Sequence, residues 1–269
     1  RSVCSTSFGL SCFRKVTTAF KKAGFRNAVK VEVQPDDAVW NAGDIRYNVL
    51  RWTSSPQPPF GGYGPSFVNP RTGQILGADI MLEYVYFTNR VKYEKLHRTI
   101  RKEDELSPEQ PCLAGNYLHQ GNMFGMTALN TMGEFSQLKQ HRMIYESLVK
   151  LTLHEVGHTL GLSHNFYASN LHSLQNIHDR VVTEPIGLTA SVMDYVAANV
   201  NDDPKRHGQF YSTIPGPYDV WAVQFGYTSA FENPIEEKIR ETELLSRSTE
   251  KALGFGNDAD DMRSPGKGI

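Results

Sequence analysis

Hydrophobic and polar residues recur with two different periods along the first third of the chain. In FRKVTTAFKKAGF (13–25), Val16, Ala19, Phe20 and Ala23 fall at helical spacing with lysines on the other side, and Gly24 stands where such a helix would stop. AVKVEV follows at once, its Val29, Val31 and Val33 alternating with Lys30 and Glu32, the period of a half-buried strand. DIRYNVLRW (44–52) repeats that alternation through Ile45, Tyr47 and Val49, and ILGADIML (75–82) supplies a third strand with Gly77 as a candidate bulge. Helix followed by strands is an α/β opening.

Between these elements, SSPQPPFGGYGP (54–65) is too rich in proline and glycine for regular structure and reads as a surface loop, while NPRTGQ (69–74) has turn chemistry. The charged run 88–105 reads as a solvated helix. AGNYLHQGNMFGMTALNTMGE (114–134) reads as a long connection of the kind used as a lid or an insertion. From Gln137 the chain meets no Pro or Gly until Gly157, and Ile144, Leu148 and Leu151 share a face, so the pattern predicts a long helix buried along one side. Beyond His164 the pattern thins, apart from a short helix at 218–227 and a charged one at 233–253. There is no internal repeat.

Charge and composition narrow the function classes. Twenty-eight Lys plus Arg against 29 Asp plus Glu leave a formal net charge of -1, which gives no global field for nucleic acid or an anionic membrane. No apolar run approaches the ~18 residues of a membrane span, so no membrane insertion is expected. A chain of 269 residues can bury a core without disulfide staples, and Cys4, Cys12 and Cys112 are too few for a disulfide framework, although a Cys4–Cys12 pair is open. The chain begins at Arg1 without a basic-then-apolar leader and reads as an excised or processed fragment.

The chemistry concentrates in HEVGHTLGLSH (154–164). On a helix, His154 and His158 stand one turn apart on one face and can share a zinc ion at Zn–N distances of ~2.0–2.1 Å. Glu155 sits about 100° further round, beside the metal as a base instead of a third ligand. Gly161 is suited to the φ > 0 residue that ends the helix, and the reversal there returns His164 to the metal. Three neutral imidazoles leave the fourth position of a tetrahedral zinc for water. From this chain's residue frequencies the whole pattern would arise by chance on the order of 10⁻⁴ to 10⁻⁵ times, so a histidine-rich surface helix is a poor explanation.

The pattern resembles H-E-x-x-H-x-x-G-x-x-H, the zinc signature of the metzincin metallopeptidases. That resemblance implies a methionine in a tight turn beneath the zinc, which ASVMDY (190–195) supplies in Met193, and it suggests Tyr195 as an oxyanion stabiliser or displaceable ligand, against a packing role. Asn165, after the third histidine, departs from the Glu of astacins and the Asp of adamalysins. Together with AFKKAGFRNAVKVEV, DIRYNVLRW, NPRTGQIL and GPYDVWAVQFGY, the motif looks like the catalytic region of large bacterial metzincin-like proteins of the Bacteroidetes type.

The resemblance implies a secreted, periplasmic or envelope-associated zinc metalloendopeptidase acting on a peptide or protein substrate, with Glu155 first accepting and then delivering a proton. The fold implied is an α/β (α+β) metzincin-like zincin. It has a twisted, mixed, mostly parallel sheet and two long helices in an N-terminal subdomain (1–164), and an irregular C-terminal subdomain (165–269) with the Met-turn and a helix. An extended substrate would lie along an edge strand, assigned by resemblance to QILGADIML, with Ile75, Leu76, Gly77, Ala78 and Asp79 binding its backbone. Residues 188–198 would line an apolar pocket beyond the scissile bond. A zinc amidase acting on cell-wall peptides and a non-catalytic zinc-fold binding module are the alternatives. NDADD (257–261) is a weak candidate for a structural Ca²⁺, and a thiolate from Cys4, Cys12 or Cys112 on the zinc is left open.

Overall fold

A computed structural model of the chain describes residues 2–4, 7–55, 60–84, 112–203 and 206–257. Its frame is a mixed sheet crossed by helices. Strands β1 (Ser2–Cys4), β2 (Val31–Val33), β3 (Asn48–Thr53) and β6 (Ile75–Glu83) are mutually parallel in the order β2-β1-β3-β6. Two short strands, β4 (Gly62–Tyr63) and β5 (Ser66–Val68), run antiparallel to β6 on its other side. The mostly parallel sheet read from the sequence is therefore present, with an antiparallel border.

Helix α1 (Ser7–Lys22) buries Val16, Ala19 and Phe20, the residues its periodicity selects. It ends at Gly24, whose φ of +99° carries the chain back so that the Phe25 amide donates to the Phe20 carbonyl. The strand after it is shorter than the alternation suggests: only 31–33 pair, and Val33 is 48% exposed. The strand expected from Asp44 starts at Asn48 instead. Asp44 accepts hydrogen bonds from the Arg46 backbone and guanidinium, which turns the chain and leaves Ile45 exposed.

Two readings of glycine-rich stretches are corrected. Residues 54–65 are not wholly loop, because Gly62 and Tyr63 pair with Leu82 and Met81 of β6. Residues 114–131 are not a connection but helix α2 (Ala114–Thr131), a third long helix where two were expected. Gly115, Leu118, Asn122, Gly125 and Leu129 recur every three or four residues on its buried face, and that period outweighs the helix cost of about 1 kcal/mol per glycine. A Cβ at Gly121 would lie 2.6 Å from the Tyr211 hydroxyl and one at Gly125 2.7 Å from Met143 Cε, so bare backbone is what the packing admits.

Helix α3 (Gln137–Thr159), capped by Ser136, is the axis of the molecule. The one-sided burial expected of it is also corrected: from Glu146 to Gly157 every residue is buried. One continuous core joins Val16 and Phe20 of α1, Leu50, Ile80 and Leu82 of the sheet, Leu148 and Leu151 of α3, and Met193, Phe210 and Val223 from the C-terminal half. Each such side chain contributes roughly 1.5–3 kcal/mol on burial. A one-turn helix α4 (Arg180–Thr183), the expected α5 (Pro217–Tyr227) and the charged α6 (Pro234–Ser246) complete the described α-helices, with 3₁₀ turns at Phe166–Leu171, Arg247–Thr249 and Lys251–Leu253. The charged run 88–105 and most of the acidic segment 257–261 lie outside the described residues. No described helix is long and apolar enough to cross a membrane.

Candidate metal centre

The end of α3 sets the geometry. Leu162 donates to the Gly157 carbonyl and Gly161 to that of His158, the paired bonds of a Schellman turn, and Gly161 takes a φ of +83°. The reversal brings His164 Nε2 to 3.1 Å from His158 Nε2, while the His154 and His158 rings stand 4.8 Å apart between centroids. The three histidines selected by spacing thus converge. His154 Nδ1 lies 2.8 Å from the Val192 carbonyl and His158 Nδ1 3.1 Å from that of Leu162. A carbonyl only accepts, so both Nδ1 atoms carry the proton and both Nε2 lone pairs face the cluster. Burial, followed by the neighbouring His158, holds the His154 pKa well below the usual histidine range, which favours the neutral, ligating form.

A cysteine joins them. Cys112, just before α2, places its Sγ 3.4 Å from His154 Nε2, and the donor atoms of Cys112, His154, His158 and His164 all lie within 4.8 Å of one another. Among the described residues this is the one cluster of metal-ligating side chains. Three imidazoles and a thiol suit zinc and offer little to calcium, which takes oxygen ligands. Tyr195 stands alongside, its hydroxyl 3.0 Å from His164 Nε2 and 3.5 Å from Cys112 Sγ, and it accepts the Leu113 amide at 3.1 Å.

Glu155 is fully buried. Neither carboxylate oxygen meets a partner at full hydrogen-bond geometry, and burial, opposed by the nearby Cys112 thiol and Gly64 amide, pushes its pKa up to about 8. Strand β4 covers it: a Cβ at Gly62 would lie 2.8 Å from Glu155 Oε1, and one at Gly64 would run into the Glu155 carbonyl. An orphaned buried carboxylate beside three converging imidazoles is the kind of group that a bound cation and its water would satisfy.

The segment under the histidines is fixed from three sides. Met193 is fully buried and Gly157 lies against its sulfur, where any Cβ would collide. Asp219 of α5 accepts from Ser191 Oγ at 2.6 Å, the Val192 amide at 2.9 Å and the Gly216 amide at 2.7 Å. Buried Lys150 donates to the Val192 carbonyl at 2.8 Å, the same oxygen that takes the His154 proton. One stripe of α3, at 146, 150, 154 and 158, does this work: Glu146 accepts the Phe210 and Tyr211 amides, Lys150 and His154 hold Val192, and His158 holds Leu162.

Asn165, where astacins and adamalysins carry an acid, is placed so that an amide is needed. It is fully buried, its Nδ2 donates to the Gly254 carbonyl at 3.0 Å, and its Oδ1 accepts the Gly256 amide at 3.2 Å. The side chain donates and accepts at once, which an ionised carboxylate cannot do. Asn165→Asp would leave the Gly254 carbonyl unpaired and should cost about 1–3 kcal/mol in chemical denaturation, whereas a change under about 0.5 kcal/mol would show that the bond carries nothing.

Other expectations are corrected. Of the stretch Ile75 to Asp79, β5 covers one side, with Phe67 opposite Gly77 and Val68 opposite Ile75, and β3 joins the other side only from Asp79, opposite Val49. The bulge falls at Leu76, one residue before Gly77, because a single step from Phe67 to Val68 spans two on β6. In the segment 188–198, Leu188 to Asp194 are all buried, which leaves Tyr195, Val196 and Ala197 as the accessible residues. Of the other described histidines, His119, His172, His178 and His207 are half-buried instead of surface residues, and only His141 is exposed.

Cys112 had no signal in spacing, lying 42 residues before His154. Lys150 did have one, since a lysine a turn before His154 in an otherwise buried helix needs a partner. Among curated proteins and solved structures, no match to this chain was found. Residues 136–267, which carry the three histidines, Glu155 and Met193, match the family model of the Met-zincins, and this supports a metzincin-like family and a zinc-dependent, metallopeptidase-type function for the chain.

Proposed function

We propose that this protein is a zinc-dependent endopeptidase, with His154, His158 and His164 as the metal ligands and Glu155 as general base and acid. The observation that carries the reading is the convergence of three imidazole Nε2 atoms beside a buried carboxylate whose oxygens meet no full hydrogen bond. Zinc held there would supply a Lewis acid for the scissile carbonyl and acidify a water molecule to a pKa of ~7. Glu155 accepts the proton of the attacking water and passes it to the leaving amine. The Tyr195 hydroxyl, held by the Leu113 amide, is placed to donate to the oxygen that gains charge.

Besides the side of Ile75 to Ala78 that β3 does not reach, the sheet offers a second border to a substrate strand. No described strand pairs with the outer side of β4 and β5, so Gly62 to Val68 is the border that a substrate strand would extend. It also runs over Glu155, which brings an added strand to the proton acceptor. By the resemblance noted above, the setting is secreted or envelope-associated.

Digestion of casein or gelatin tests the reading, run on the wild type and on Cys112→Ser, which removes the thiol beside His154. Cleavage should stop with a zinc chelator and return with added zinc. Activity confined to cell-wall muropeptides would favour the amidase, and zinc bound at one equivalent with no cleavage of any peptide would leave a binding module.

A further inference from the structure

We propose that Cys112 is a fourth zinc ligand, which closes the site in the conformation described and holds the protein in a latent state. The inference rests on the zinc site of the preceding section and extends it to a residue outside the motif. In a tetrahedral site with Zn–N of ~2.0–2.1 Å and Zn–S of ~2.3 Å, neighbouring donor atoms are separated by roughly 3.3–3.6 Å. The structure shows Cys112 Sγ 3.4 Å from His154 Nε2 and His164 Nε2 3.1 Å from His158 Nε2, with no separation in the set beyond 4.8 Å. Two of the six edges are thus close to those of a four-ligand cage, and the other four fall within 4.8 Å.

The thiol is held from the side that follows it in the chain. Leu113, next in the chain, donates its amide to the Tyr195 hydroxyl at 3.1 Å, and the Tyr117 and Tyr195 rings stack at 5.0 Å. Gly115 lies so close to Gly61 that a Cβ on it would come within 2.6 Å of the Gly61 Cα. The first turn of α2 is thereby docked on both sides of the cleft, with Cys112 at its tip. Four protein ligands are the mark of a closed zinc site, whereas catalytic sites keep one position for water. When the metal enters, the S–H bond breaks, a zinc–sulfur bond forms, the proton passes to solvent, and no place is left for the water that Glu155 would deprotonate. Turnover then requires the first turn of α2 to lift and water to take the place of the thiolate.

X-ray absorption at the zinc edge of the metal-loaded wild type tests this without a mutation. The expected spectrum has one sulfur scatterer at about 2.3 Å beside nitrogen at about 2.0 Å. Cobalt substituted for zinc should likewise show a thiolate-to-metal charge-transfer band. Cys112→Ser should lose both sulfur signatures, keep one metal equivalent, and cleave peptide at least an order of magnitude faster than the wild type. A wild-type spectrum of nitrogen and oxygen alone, with zinc bound, overturns the proposal and leaves the three-histidine site standing. Failure of the wild type to bind zinc at all overturns both.

Discussion

Glu155→Ala should lower kcat/KM for a cleavable peptide by roughly 10²–10⁴-fold, the usual contribution of a positioned proton carrier, while zinc stays bound at one equivalent. The asymmetry follows from where the side chains point. His154 and His158 project their Nε2 atoms into the cluster and brace their Nδ1 atoms on the Val192 and Leu162 carbonyls, whereas Glu155 lies under β4 and against Cys112. Removing it takes away no ligand and no brace. Measurement in a Cys112→Ser background keeps the fourth ligand from masking the effect. Activity unchanged by the Glu155→Ala substitution would show that another group moves the proton. Loss of zinc from the alanine variant would show that Glu155 acts through the metal.

Lys150→Ala should be the most damaging substitution away from the metal, at about 3–5 kcal/mol, because it strips a buried cation from the two buried carboxylates, Asp194 and Asp219, whose fields act on it. It also removes one of the two donors on the Val192 carbonyl that bears His154, so zinc affinity should fall with it. The pH dependence has a definite sign. Burial presses the Lys150 pKa down to about 8 from its ordinary 10.5, against the pull of Asp194 and then Asp219. Between those values the unfolded chain binds more protons at this residue than the folded one, so its contribution to stability rises with pH across that window and is lost as pH falls through 8. Wild type should therefore gain up to roughly 3 kcal/mol relative to Lys150→Met between pH 8 and 10.5, read from urea midpoints at fixed ionic strength. A constant difference across that range would mean that Lys150 is not titrating in the fold.

The parts of the site that can be read from the chain are those built within one element. His154, His158, Gly161 and His164 sit in one helix and its turn, where a period of 3.6 residues and one left-handed glycine dictate the geometry. The face of α1 was legible for the same reason. What was not legible depends on contacts between distant segments. Gly115, Gly121 and Gly125 read as breaks because glycine disfavours helix locally, but the close approach of Gly61, Tyr211 and Met143 asks for it. The antiparallel border of the sheet was not legible because pairing partners are not written in a strand's own alternation: β6 has the longer and stronger pattern, and fragments of only two and three residues line one side of it. Cys112 is brought to the histidines by the docking of α2, which no spacing rule near residue 154 contains.

The central claim is that three histidines of one helix and its turn hold a single zinc ion beside Glu155. Equilibrium zinc titration of the wild type, of the single alanine variants at His154, His158 and His164, and of Glu155→Ala tests it most directly. The account predicts one equivalent in the wild type and in Glu155→Ala, with a sharp loss of affinity in each histidine variant that remains folded by circular dichroism. Zinc bound as tightly after His158→Ala and His164→Ala as before would contradict it.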